Sequence, residues 1–235
     1  MNPTEAETFM LLAAHVLALV VALLIFGILY LRQRRAAPAQ PAAAPQPAVL
    51  FSRPGAQRPA SWLAVRGATP EAVRRALELN RCSPCSWTEG MAGDHEFFIS
   101  PRLNGWVIVK GLGVPNPGEN VDVCFHFLTG LSRKLGHVQF FHAETGGYHH
   151  AWARLDDGYV TRAYAWAGGT VWRQGDRTVA ETELRMKCFD YGEETFAEKT
   201  VMANCDKVPL LAARWSLDPA RIRMLKTMNG IAGVP

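Results

Sequence analysis

Between Phe9 and Leu31 the sequence has no Asp, Glu, Lys or Arg; the run of 23 residues (FMLLAAHVLALVVALLIFGILYL) holds one histidine, His15. So long a run with no polar face is not expected of a buried core helix. As a helix it would be about 34 Å long, against a bilayer core of roughly 30 Å. The first eight residues lack any base and carry Glu5 and Glu7. The missing positive segment, with an apolar run too long for a signal peptide, argues against cleavage. The expectation is a transmembrane helix over 9–31 behind a short extracytoplasmic N-terminus, residues 1–8. Arg32, Arg34 and Arg35 follow the span at once. Basic flanks stay in the cytoplasm, so the N-terminus is expected outside and the rest of the chain inside. His15 sits near the outer end, within reach of the interface.

Acids are absent from residues 32–60, a Pro/Ala-rich basic linker (through AAPAQPAAAPQPAVLFSRPGAQRPA) with five Arg. Such a composition buries too little to fold and reads as a semi-extended tether. Of 25 bases those five precede residue 61, and of 21 acids only Glu5 and Glu7 do, leaving 20 against 19. The nearly neutral remainder carries no basic stripe or stacking motif, so no nucleic acid partner is expected. The basic excess belongs to the membrane junction, and the lipid bilayer is the expected partner of 9–31.

Signatures of familiar chemistry are also missing. GLGVPNPG (111–118) has neither the Lys-Ser/Thr of a phosphate loop nor the GxGxxG spacing of a dinucleotide site. There is no HExxH and no GxSxG. No motif calls for a cofactor. Cysteine is scarce and odd in number, at 82, 85, 124, 188 and 205. In the cytoplasm these are expected as reduced thiols packed like small apolar residues.

What is present begins at residue 61. WLAVRG (62–67) reads as a strand. ATPEAVRRALELN (68–80) reads as a helix, with Thr69 as cap and Pro70 in its first turn. CSWTEG (85–90), EFFIS (96–100), GWVIVKG (105–111), HVQFFHAE (137–144) and both arms of HHAWARLDDGYVTRAYAW read as strands, with a helix from about Asp122 to Leu135. Thr178 and Glu181 form a capping-box pattern. KVPLLAARW (207–215) and PARIRMLKTM (219–228) read as helices, the second ended by Gly230. The sequence thus divides into an α+β domain, 61–200, and a C-terminal helical segment, 201–235. Most of the seven Trp fit apolar strand positions and are expected in the sheet core.

GWVIVKG echoes WLAVRG, and each precedes a helix. Trp87 lies 18 residues before Gly105, as Phe140 does before Gly158. This spacing suggests a duplicated β-α-β-β unit: an antiparallel or mixed sheet with helices on one face, and a groove between the copies as a binding place.

Cys124 near a helix start, His150 followed by Ala151 and Trp152, and the strand YVTRAYAW resemble the core of transglutaminase-like cysteine enzymes over about 45 residues. The resemblance implies a Cys124 thiolate paired with the His150 imidazole, in a hydrolase or acyl transferase. Three features depart from it. RAYAWAGG (162–169) lacks the carboxylate that would orient the ring, and Asp156 and Asp157 come too early, in the expected turn. Cys124 follows Asn120 by enough residues to sit inside the helix. With Asp157-Gly158 as a two-residue turn, His150, Trp152, Arg154, Asp156, Tyr159 and Thr161 share one face. His149, Ala151, Ala153, Leu155, Val160, Tyr164 and Trp166 share the other, which should meet the helices, so His150 should point away from Cys124.

For metal, Cys82 and Cys85 have the spacing of half a zinc knuckle, and His142 could face His149 or His150 across the turn ETGGY. No second regular pair completes a site. The reading of the chain is a membrane-anchored cytoplasmic binding or scaffolding domain with a protein partner; the alternatives are the Cys–His enzyme and a metal-binding domain.

Overall fold

The structure is a computed structural model and describes residues 61–144, 146–193, 198–219, 222 and 229–235. The run 9–31 and the tether 32–60 lie outside them, as does nearly all of the helix expected over 219–228. No helix among the described residues is long and apolar enough to cross a membrane.

The elements run β1 (Ser61–Arg66), α1 (Pro70–Ala76), β2 (Arg81–Ser86), α2 (Trp87–Ala92), β3 (Phe97–Ile99), β4 (Trp106–Lys110), α3 (Val121–Leu135), β5 (His137–Glu144), β6 (His149–Asp156), β7 (Tyr159–Trp166), β8 (Thr170–Gln174), α4 (Val179–Glu183), α5 (Glu198–Trp215) and β9 (Asn229–Val234). The nine strands form a single sheet in the order β2-β9-β3-β4-β1-β5-β6-β7-β8. Every neighbouring pair is antiparallel, so the class is α+β and the sheet is not mixed.

Local chemistry explains the helix starts. Thr69 Oγ1 accepts from the Ala72 amide, with Pro70 in the first turn, where no amide donor is needed. Asn120 caps α3 by accepting from the Val123 amide. Ser86/Glu89 and Thr178/Glu181 form full capping boxes on α2 and α4. The first of these corrects the strand expected over 85–90: the strand ends at Ser86, and Trp87 opens a helix that Gly93 closes in the left-handed region.

Strand alternation sends consecutive residues to opposite sides, and both sides are covered. Leu63, Val65, Val107, Val109, Val138, Phe140, Ala151, Ala153 and Leu155 pack with Val73 of α1 and Cys124, Leu128 and Leu131 of α3. Trp62, Ala64, Ile108, Phe141, Trp152, Tyr164 and Trp166 pack with Val201, Val208, Leu211 and Ala212 of α5. Helices on one face alone was therefore too simple.

The duplication does not survive at the level of topology. β5 and β6 pair directly, whereas their counterparts β2 and β3 are separated by β9. Trp87 is helical and Phe140 is in a strand. The C-terminal segment is not all helical either, since 229–234 is a strand inside the sheet, and α5 runs across the expected boundary at residue 200. Gly230 lies in β9, where an added Cβ would fall 2.3 Å from the Ile99 carbonyl oxygen.

Candidate functional site

Asp157 and Gly158 form the two-residue turn between β6 and β7, both with positive φ (48° and 85°), as a type I′ turn needs. Asp156 pairs with Tyr159 and Leu155 with Val160, but Arg154 pairs with Arg162. Thr161 is the extra residue of a bulge, and its hydroxyl donates to the Arg154 carbonyl at 3.1 Å. The bulge reverses the parity of the rest of β7. Ala151, Ala153, Leu155 and Val160 face α1 and α3 as expected, whereas Tyr164 and Trp166 join His150 and Trp152 on the opposite side.

Cys124 and His150 consequently do not meet. Cys124 is fully buried in the aliphatic layer under α3. Its amide already bonds to the Asn120 carbonyl, so it stands one turn inside the helix. Burial pushes its thiol up to about 12, away from thiolate chemistry. His150 lies on the other side, stacked on Trp152 with ring centroids 5.8 Å apart and tilted against Tyr164 at 5.9 Å.

The His150 ring is satisfied at both nitrogens. Nδ1 lies 3.1 Å from the Tyr148 carbonyl oxygen and Nε2 lies 3.2 Å from Asn204 Nδ2. A proton on Nδ1 serves both contacts: the ring donates to the carbonyl and accepts from the amide. Asn204 is held in turn by Lys187, whose amide donates to Oδ1 at 3.0 Å and whose carbonyl accepts from Nδ2 at 2.7 Å. Cys205 Sγ approaches Nδ1 at 3.7 Å, but that nitrogen is committed to Tyr148. Burial pushes the Cys205 thiol up to about 11 and holds the His150 imidazole down at about 4. Cys205, His150 and Asn204 thus brace β6 against α5 as neutral groups.

Trp152 leads to a carboxylate that the sequence reading sought on β7 and that arrives from α4. Its indole Nε1 donates to Glu181 Oε1 at 2.8 Å, and the same oxygen accepts from Arg162 Nη2 at 2.6 Å. Arg162 Nη1 donates to the carbonyls of Ala163, Gln174 and Gly175. Glu181 Oε2 accepts from the Thr178 amide and hydroxyl. Burial alone raises the Glu181 carboxyl, but the Arg162 hydrogen bonds and charge outweigh it and hold the group below the usual range. This ion pair is fully buried and clamps α4 to β7 and β8; it does not orient His150.

The metal candidates separate into two groups. Cys82 and Cys85 pair with Gly233 and Gly230 on β9, and an odd spacing of three along one strand sends their side chains to opposite sides. Cys82 is exposed; Cys85 is buried, with Sγ 3.3 Å from His95 Nε2. They do not converge. His142 and His149 do, through a residue the sequence reading did not single out. Glu144 pairs across the ladder with His149, and His142 precedes it by two, so all three side chains share one side. Glu144 Oε2 lies 3.4 Å from His149 Nδ1 and 4.0 Å from His142 Nε2. Ser61, opposite His142 on β1, places Oγ 2.7 Å from His142 Nδ1. His142 is 3% exposed and its Nε2 has no hydrogen-bond partner. Burial holds this imidazole at about 4, with the neighbouring His149 adding to the effect. The signal for the trio was the H-x-E spacing of 142–144 with His149 across a short hairpin; alternation puts His142 and Glu144 on one side, and the β5–β6 register brings His149 to them.

Comparison with protein-family models, with curated proteins and with solved structures finds no match to this chain.

Proposed function

We propose that this protein is a membrane-tethered binding domain, carried on the cytoplasmic side by the span 9–31 and the Pro/Ala linker 32–60, with a protein as its partner. The observation that supports binding over cysteine chemistry is the position of Cys124 and His150. They stand on opposite sides of the sheet, one in an aliphatic layer and one locked between a carbonyl and an amide. A nucleophile and its base must lie within hydrogen-bond reach, and a sheet between them forbids that. The charge-free run and the Arg cluster behind it support the anchoring and its direction. Exposed apolar side chains for a partner are Leu112, 63% exposed in the loop before α3, and Val123, 54% exposed in its first turn.

The test uses the full chain in cells. Cys82 is the exposed cysteine among the described residues, so an impermeant thiol reagent reports the side of the membrane on which the domain lies. Labelling is expected only after permeabilisation, and labelling of intact cells would reverse the orientation. Deleting 9–31 is expected to release the chain from the membrane fraction. In-cell crosslinking should give the same partner for wild type and Cys124→Ala, and lose it for the double variant Leu112→Asp/Val123→Asp. Loss of the partner in Cys124→Ala, with the fold intact, would return the argument to the thiol.

A further inference from the structure

His142 holds a buried ring nitrogen with no partner, one of five such side-chain atoms among the described residues and the only imidazole among them. The atom nearest to resolving it is a carboxylate oxygen 4.0 Å away, too far for a hydrogen bond. The same oxygen is 3.4 Å from the ring of His149. Two imidazole nitrogens thus stand within 4.0 Å of one carboxylate oxygen, on adjacent strands of the sheet.

The spacing matches what a metal ion would impose. At metal–nitrogen and metal–oxygen lengths of about 2.0–2.1 Å, two donors on a tetrahedral centre stand about 3.4 Å apart. The His149–Glu144 separation already has that value. The His142–Glu144 separation exceeds it by about 0.6 Å on the same geometry. Among the described residues no group of three His, Cys, Asp or Glu is arranged to hold a metal ion as it stands. The shortfall lies in the side chain best able to move, since Glu144 is 36% exposed and turns about three bonds, whereas His142 is fixed in the core.

The surroundings prepare His142 as a ligand. Ser61 Oγ lies 2.7 Å from Nδ1. With the proton on Nδ1, the ring donates to that hydroxyl and Nε2 is left as a bare lone pair aimed at Glu144. An oxygen partner on the far ring nitrogen is the usual support of a metal-bound imidazole, because it sets the tautomer and the ring plane. His149 is one-third exposed. The ring packs against the backbone of Gly118 and Gly147, where an added Cβ would stand 3.5 Å and 3.4 Å from its atoms. The loop before α3 and the turn after β5 therefore line the open side.

We infer that His142 Nε2, Glu144 and His149 Nδ1 form a binding site for a divalent cation of the zinc class, with Ser61 as its positioning residue. Imidazole and carboxylate donors suit zinc, cobalt or iron(II) rather than calcium or magnesium. Three protein donors leave the fourth position of a tetrahedral ion to a water or an external ligand. The site closes the hairpin between β5 and β6 without any cysteine. It stands apart from the membrane-tether reading: the sidedness and partner experiments can fail while this site holds, and the reverse.

The experiment uses the full chain in detergent micelles, stripped with chelator and titrated with Co2+. One equivalent should bind with visible ligand-field absorption and no sulfur-to-cobalt charge-transfer band, and Zn2+ should displace it. His149→Ala and Glu144→Gln, both at partly exposed positions, should each weaken binding at least tenfold while the metal-free melting temperature stays near wild type. Ser61→Ala should weaken it roughly 10–100-fold, as removing an outer-shell partner does. Cys82→Ser and Cys85→Ser should leave it unchanged. Absence of a one-to-one complex would overturn the inference. So would binding indifferent to both His149→Ala and Glu144→Gln, or a sulfur band lost with either cysteine.

Discussion

The two sides of the sheet are built on different principles. The side under α1 and α3 is mainly aliphatic: Ala151, Ala153, Ala163 and Ala165 pack there with Leu63, Val65, Val107 and Val109, and Phe97, Phe140 and Trp172 are its large aromatic members. The side under α4 and α5 is aromatic and polar. Trp152 and Tyr164 pack with ring centroids 4.9 Å apart, and Arg162, Glu181, His150 and Asn204 are buried among them. The first side gains stability mainly from apolar burial, at roughly 1.5–3 kcal/mol for each large side chain removed from water, with the Ser61–His142 pair as a buried polar exception. The second buries a connected polar network, and each removal from it leaves a partner stranded. The lesson is that equal burial does not mean equal tolerance: the aromatic side should be brittle and the aliphatic side forgiving.

That contrast can be broken at its strongest point first. Glu181→Ala leaves the Arg162 guanidinium buried without a counter-charge and should cost about 3–5 kcal/mol. Denaturant unfolding of the full chain in detergent measures it. The double replacement Arg162→Met/Glu181→Leu should recover most of the loss, because no unpaired charge then remains. A loss under 1 kcal/mol for Glu181→Ala would erase the difference between the sides.

Acid is the next probe, and it strikes both sides. The imidazoles of His142 and His150 are held at about 4 against an unfolded value near 6.5. Between these values the unfolded chain binds more protons than the folded one, so stability must fall as the pH drops through that window. The penalty is absent above about pH 6.5 and, at pH 5, amounts to roughly 2 kcal/mol for each ring. Melting temperature followed from pH 7 to pH 4.5 should decline, and His150→Gln should flatten part of the decline. A melting temperature that rises on acidification would show that neither ring is buried neutral.

Cys124→Ala sharpens the comparison from the tolerant side. Removing one sulfur from the aliphatic layer should cost about 1 kcal/mol, within the usual range for small core truncations. In the wild type a thiol reagent should reach Cys82 first and Cys124 only on unfolding. Fast native labelling of Cys124 would contradict its burial. Tyr159, 77% exposed at the tip of the β6–β7 hairpin, belongs to neither side, and Tyr159→Ser should shift stability by no more than about 0.5 kcal/mol.

Much of the fold was legible because its signals are local. WLAVRG, GWVIVKG and HVQFFHAE are apolar enough to read as strands, and β5 has the expected bounds. Asn120, Thr69 and Thr178 mark helix starts by side-chain chemistry that needs no tertiary partner. The Asp-Gly turn was legible for the same reason. Ser86-Trp-Thr-Glu89 carried an equally local capping-box signal, and the aromatic residue inside it drew the reading toward a strand.

Other features had no local signal. β9 has glycines at 230 and 233, a composition that reads as a turn. Those glycines are there because an added Cβ at Gly233 would fall 2.8 Å from Cys82 Sγ, a contact that exists only once the strand is inserted. The Thr161 bulge is likewise invisible along the chain, yet it moves Tyr164 and Trp166 to the other side of the sheet. The candidate site was half legible: His142 and His149 were named from a hairpin, while Glu144 and Ser61 join them only through the register of three strands.

By itself the sequence determined most of the strands, several helix starts, the turn between β6 and β7, the α+β class and the charge-free run with its basic flank. These depend on residues within a few positions of one another. The tertiary structure alone decided that Cys124 and His150 face apart, that β9 divides β2 from β3, and that a carboxylate and two imidazoles share a corner. Such outcomes depend on strand order and parity, and a single inserted residue or a distant strand changes them without changing any local preference.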